Sequence, residues 1–173
     1  MKLAGKVCLI TGGTRGIGAA AALDFARRGA DLALNGRYLD AEAEEVIKEV
    51  EALGRKCVFI QGDMGKPEDA KRCVEETVAA LGALDVLVHS AGGAVPGSFV
   101  GVEEEAWYSA FDVHVHAVFH LGRAAIPHIK ARGEGADRRV ARTDSGVRRW
   151  VTKVRTLRRP SQGQRKTSGP KVR

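Results

Sequence analysis

The sequence predicts an α/β fold, a parallel sheet with helices on both faces, on three observations. Short apolar runs alternate with helical patterns of about 10 to 15 residues, the connections between them are brief, and a glycine-rich turn joins the first run to the first helix. Alternation of this kind is a series of βαβ units, whose strands are covered on both sides and therefore read as continuous hydrophobic runs.

Lys6 to Ile10 form the first strand, and Ile17 to Arg28 follow with alanine-rich helical spacing that Gly29 stops. Leu32 to Leu34 make the second strand, ending at Asn35-Gly36. Asp40 to Leu53 make the second helix, because Ala43, Val46, Ile47, Val50 and Leu53 share one stripe and Gly54 ends it. Val58 to Ile60 are the third strand, and Pro67, suited to a first helical turn, leads into Ala70, Cys73, Val74, Val78 and Leu81 at helical spacing. Leu84 to Val88 are the fourth strand.

Glu103 to Arg132 read as one long helix, with Trp107, Phe111, Val115, Val118, Leu121, Ala125 and Ile129 as a buried stripe. Asp137-Arg138-Arg139 then stand where the alternation requires a fifth strand, and a strand buried on both faces does not hold such charges unpaired. About four strands are therefore expected, an incomplete sheet. Its fourth strand would be an open edge beside apolar helix faces, an arrangement that invites self-association.

A chain of 173 residues suits one domain, and 44% hydrophobic with 28% charged residues and 21 glycines place it among soluble globular proteins. Charge divides it unevenly. Residues 1 to 137 carry 15 basic and 20 acidic side chains, net −5, whereas residues 138 to 173 carry 13 basic ones and the single acid Asp144, net +12. Two parts follow: a half domain over 1–136 that holds the α/β alternation, and a basic, Arg-rich tail over 137–173, expected to be irregular and disordered. The tail's composition and its lack of period suggest a shifted reading frame or an alternative terminal exon as its origin. Its charge, with Trp150, would attract nucleic acid at most non-specifically.

The opening residues carry Lys2 and Lys6 without a run long enough for a signal peptide, and the uncharged stretch 86–102 is broken by glycines and Pro96. No membrane span is expected. Cys8, Cys57 and Cys73 are odd in number and widely spaced, which argues against a disulfide framework and a zinc site and points to a reducing cytoplasm.

The first turn reads Thr11-Gly12-Gly13-Thr14-Arg15-Gly16-Ile17-Gly18, and Gly16 to Ala21 also satisfies G-x-G-x-x-A. A pyrophosphate must approach bare backbone N–H groups at a helix N-terminus, and a β-carbon at the closest points would block it.

With these residues the chain resembles the short-chain dehydrogenase/reductase family, whose cofactor turn is T-G-x-x-x-G-x-G, and the resemblance continues from residue 3 to about 136. Asp63, with Met64 beside it, matches the family's acidic position at the adenine. His89-Ser90-Ala91-Gly92 match its N-N-A-G segment, and Trp107 and Phe119 flank the following helix as in the family pattern. The resemblance implies a Rossmann-type fold, a nicotinamide dinucleotide held by residues 12 to 18 and by Ser90, Ala91 and Gly92, and hydride transfer between NADPH and a carbonyl or alcohol.

Cofactor choice is readable at the end of the second strand. An acid there would bind the ribose hydroxyls of NAD, but Asn35-Gly36-Arg37 offers a guanidinium, and Arg15 is a second cation for a 2′-phosphate. NADP is expected over NAD.

Departures from the family pattern are as informative. Both asparagines of N-N-A-G are replaced, by His89 and Ser90, and the family's helix asparagine is replaced by His114, which puts its water chain in doubt. The family's proton donor is a tyrosine with a lysine four residues on. Here Tyr38 and Tyr108 are followed at that spacing by Glu42 and Asp112, and Ser145 is an accidental candidate for the family's serine, so no catalytic residue is assigned. A small carbonyl or alcohol is then a substrate only if the missing half is supplied. His116 and His120 have the i, i+4 spacing of a metal pair but lack a third ligand, and a structural role is expected for them.

Overall fold

The computed structural model describes residues 3–95 and 97–133, and the backbone of 136–139. Strands β1 (Val7–Thr11), β2 (Asp31–Gly36), β3 (Cys57–Gln61) and β4 (Val86–His89) alternate with helices α1 (Gly16–Arg27), α2 (Ala41–Ala52) and α3 (Pro67–Leu81). Helix α4 (Glu104–Phe111), a π-helical segment at Asp112–His116, helix α5 (Ala117–Ala131) and strand β5 (Ala136–Arg139) follow. Every pairing is parallel, and the strand order is β3-β2-β1-β4-β5. The chain runs outward from β1 through β2 to β3 and then returns to place β4 on the other side of β1. The carboxyl ends of β1 and β4 thus form the switch point at which parallel α/β sheets bind ligands.

Two cores follow from the period-two alternation of the strands. Cys8, Ile10, Leu32, Leu34, Val86 and Val88 pack with Ala22, Ala26, Val46 and Val50 of α1 and α2 on one face. Leu9, Ala33, Ile60 and Leu87 pack with Ala70, Cys73 and Val74 of α3 and Leu121 and Ala125 of α5 on the other. Burial pushes the thiols of Cys8, Cys57 and Cys73 up to about 12, so at neutral pH they remain protonated.

Two sequence expectations require correction. β5 exists: it pairs with β4 through Val86↔Ala136 to His89↔Arg139, so β4 is flanked on both sides and is not an open edge. The objection to charges at 137–139 assumed a central strand, whereas β5 is the outermost strand among the described residues, and ladder pairing needs only its main chain. It also runs across the domain boundary expected at 136/137; the rest of the basic tail, from residue 140 onward, lies outside the described residues.

The second correction concerns 103–132. The π segment inserts extra residues per turn, so positions counted at 3.6 across it do not share one face. Leu121 and Ala125 are buried as expected, but Trp107, Phe111 and Val115 are 42%, 40% and 44% exposed. Trp107 packs edge-on against Phe99 and Phe111 at the surface, with centroids 6.4 and 5.6 Å away. Among the described residues no helix is long and apolar enough to cross a membrane.

Asp85 clamps the amino ends of β1 and β4 to the end of α5. Its fully buried carboxylate accepts from Val7 N–H at 3.0 Å, Lys6 Nζ at 3.2 Å and Arg132 Nε at 3.1 Å. Burial alone would raise its pKa; the Val7 amide, Arg132 and Lys6 outweigh it and hold the carboxyl below the usual 3.8. A depressed carboxylate contributes stability that is present above the unfolded-state value and lost as pH falls through the folded one. Asp85→Asn should therefore lower unfolding free energy at pH 7 by about 2 kcal/mol. In urea titrations its stability should also fall less steeply than that of the parent below about pH 4; parallel acid profiles would contradict this assignment.

Candidate functional site

The glycine bend between β1 and α1 is shaped by contacts too close for side chains. A β-carbon on Gly18 would lie 2.0 Å from the Gly12 carbonyl oxygen, and one on Gly12, whose φ is +62°, would lie 2.7 Å from the main chain of Ala91. Gly13 N–H donates to Asn35 O at 3.1 Å, fastening the bend to the end of β2. Buried Thr14 also lies there, its hydroxyl beside Gly36. The first turn of α1 contains no acid, and Ala19, bonded to Arg15 O, is the first amide of the helix with a main-chain partner among the described residues. Exposed Gly16, half-buried Ile17 and buried Gly18 thus begin a helix whose leading N–H groups have no main-chain partner among the described residues and suit an anion.

The carboxyl end of β4 forms the opposite wall. Ser90 N–H donates to Thr11 O at 3.0 Å, and Ala91 N–H reaches the Thr11 hydroxyl at 3.4 Å. Buried His89 bonds Thr11 Oγ1 through Nδ1 at 2.7 Å and the Val113 carbonyl through Nε2 at 2.8 Å. A carbonyl only accepts, so Nε2 carries a proton, and in the neutral ring Nδ1 accepts from the threonine hydroxyl. The imidazole thereby spans from β1 to the π segment. His114 Nε2 donates to Gly93 O at 2.9 Å, and its ring lies over Gly92, where a β-carbon would come within 2.2 Å of Cε1. Both replaced asparagines with ring substitutes therefore stand on the same wall as Ser90, Ala91 and Gly92.

A polar cleft of about 440 Å³ opens at the ends of β2 and β3, lined by Arg37, Tyr38, Gln61, Gly62, Asp63, Lys66, Asp69 and Arg72. That volume lies in the range of small-molecule sites. Buried Asn35 holds the two strand ends together, its amide donating to Ile60 O and Gly62 O, each at 3.1 Å. Asp63 shapes its own loop: its carboxylate accepts from Gly65 N–H at 2.9 Å and its amide donates to Asp69 at 2.8 Å. Arg72 first, then the Asp63 amide, hold the Asp69 carboxyl below its usual range. Met64 is 3% exposed and its side chain belongs to the core, so it is not among the residues that line the cleft.

The expected residues thus fall into two neighbouring groups. The glycine bend meets the turn after β4 at the switch point, through Gly12 against Ser90 and Ala91, while Arg37 and Asp63 share the cleft. The Arg15 side chain does not line the cleft; its guanidinium is paired with Asp40 and, at 3.6 Å, with Glu42. His116 pairs with Asp112 at 2.9 Å, and the His120 ring packs edge-on against Phe119. Sequence reasoning missed Lys66 and Arg72 in the cleft, which carry no motif. It also missed the bracing by Asn35, whose one signal was an amide closing an apolar run.

Gly18→Ala and Gly16→Ala should separate contact from conformation. The first drives a methyl into Gly12 O, and loss of dinucleotide binding with a large fall in melting temperature is expected. The second has open space around it and suffers only its left-handed φ of +54°, about 1 to 2 kcal/mol, with the fold retained. Equal effects of the two in thermal melts would contradict the geometry described.

The model of the family described as short chain dehydrogenase matches residues 6–138. General stress protein 39 of Bacillus subtilis (strain 168) is 42% identical over 130 residues, 75% of this chain and 46% of its own length. A short chain dehydrogenase from Burkholderia cenocepacia J2315, solved in complex with NADP, aligns with TM-score 0.75 and 36% identity over 80% of this chain and 56% of its own. L-Sorbose reductase from Gluconobacter frateurii, complexed with NADPH and L-sorbose, aligns with TM-score 0.75 and 32% identity over 80% of this chain and 53% of its own. This chain spans about half the length of these relatives. It belongs to the short chain dehydrogenase family.

Proposed function

We propose that this chain holds NADP(H) across the switch point and does not turn over a carbonyl with the residues it contains. The cofactor, when bound, supplies or receives the hydride that the family's chemistry requires. The fit rests on the bend, where missing β-carbons at Gly12 and Gly18 leave room for the approach of a pyrophosphate to bare amides. Ser90, Ala91 and Gly92 form the far wall of that groove, and Asp63 stands at the adenine end.

The observation that carries the choice of the phosphorylated cofactor is Arg37. It follows β2 directly where no acid precedes it, lines the cleft, and has no anionic partner among the described residues. A planar guanidinium in that place suits a phosphate dianion. The NADP and NADPH held by two structural neighbours support the same reading.

The catalytic half of the proposal rests on what the sequence lacks. Tyr38 and Tyr108 are 68% and 66% exposed, and Glu42 and Asp112 stand where an ammonium group would be needed to poise either phenol for proton transfer. Titration of NADPH fluorescence should therefore saturate, while NADPH oxidation with a panel of small aldehydes and ketones stays at the enzyme-free rate. Arg37→Met should weaken NADPH by about tenfold or more and leave NADH unaffected. Measurable turnover would overturn the inactive assignment, and an unaltered NADPH affinity in the variant would overturn the role of Arg37.

A further inference from the structure

The two arginines expected to serve a 2′-phosphate stand in unlike electrostatic settings. Arg37 forms no ion pair with a carboxylate among the described residues, whereas Arg15 turns from the glycine bend toward α2 and pairs with Asp40 and Glu42. Asp40 is fixed from a second side as well. As N-cap of α2 it accepts from Ala43 N–H at 3.1 Å, so its carboxylate is anchored to the helix and aimed at the guanidinium. The Ala43 amide first, against a smaller opposing effect of burial, and then the Arg15 charge hold its carboxyl below the usual range, leaving it ionised at neutral pH.

We infer that Asp40, seconded by Glu42, is a built-in competitor for the 2′-phosphate: by occupying Arg15, it sets the preference for phosphorylated over unphosphorylated dinucleotide below what two arginines would give. This rests on the NADP(H) reading and deepens it. A 2′-phosphate that recruits Arg15 must take it from two carboxylates. One exposed ion pair is exchanged for another, and only the difference appears in affinity. A dinucleotide with a free 2′-hydroxyl leaves the Arg15–Asp40 pair intact. Discrimination then falls mainly to Arg37, and the chain tolerates both forms of the cofactor.

Asp40→Asn tests the competitor without uncapping α2, because the asparagine oxygen still accepts from Ala43 N–H. In fluorescence titrations of the full chain, NADPH should bind about two- to fivefold more tightly to Asp40→Asn, with NADH unchanged. Glu42→Gln should show a smaller gain, and adding Arg15→Met to Asp40→Asn should abolish it. Unchanged NADPH affinity in Asp40→Asn would overturn the inference. So would weakened NADH binding, which would make Asp40 a ribose ligand instead. Arg37→Met separates the two levels of failure. If it weakens NADPH while Asp40→Asn changes nothing, only the competitor is wrong; if it changes nothing and the parent prefers neither cofactor, the NADP(H) reading itself falls and takes the competitor with it.

Discussion

The carbonyl oxygen of Gly12 leaves no room for a side chain at position 18, and much of the site depends on that close approach. It folds the chain back sharply enough to bring the start of α1 over the end of β1. The same tightness presses Gly12 against Ala91, so the turn after β1 and the turn after β4 are built as one object. Main-chain amides, which carry fixed partial charges without side-chain entropy, are thereby concentrated at a single point of the sheet.

That junction is braced at both ends of the strands it joins. At the carboxyl end, Thr11 and His89 link β1, β4 and the π segment through a network that satisfies every donor and acceptor it uses. At the amino end, Asp85 draws in Lys6, Val7 and Arg132. Two polar clamps on an apolar sheet fix the register of β1 against β4, on which the position of the glycine bend relies. The π segment is part of the same device, since it turns the Val113 carbonyl to the histidine and carries His114 over Gly92.

The first four strands and three helices were legible because each signal was local: apolar runs, stripes at helical spacing, Pro67 at a first turn and glycines beyond helix ends. The glycine bend, Arg37 and Asp63 were legible for the same reason, as motifs at fixed places along alternating elements. What failed was non-local. The stripe from Trp107 to Ile129 was read at one period through a π segment that sequence spacing does not mark, which is why Trp107 and Phe111 were misplaced. β5 was excluded on side-chain charge, although what forms it is pairing of its main chain beside β4. The pairing of Arg15 with Asp40 joins residues 25 apart, and no single window of sequence shows that the second helix would cancel a cation offered by the first turn.

Charge placement around the bend completes the account: bare amides at its centre, the Arg37 guanidinium at the cleft without an ion pair among the described residues, and Arg15 held by carboxylates. The most direct test is a backbone amide NMR titration of the chain with NADPH. The account predicts its largest shifts at the amides of residues 13 to 18 and 90 to 92, with smaller ones at 37 and 63. Shifts that spare residues 13 to 18 in a folded, saturated sample would contradict the claim that this bend is where the dinucleotide docks.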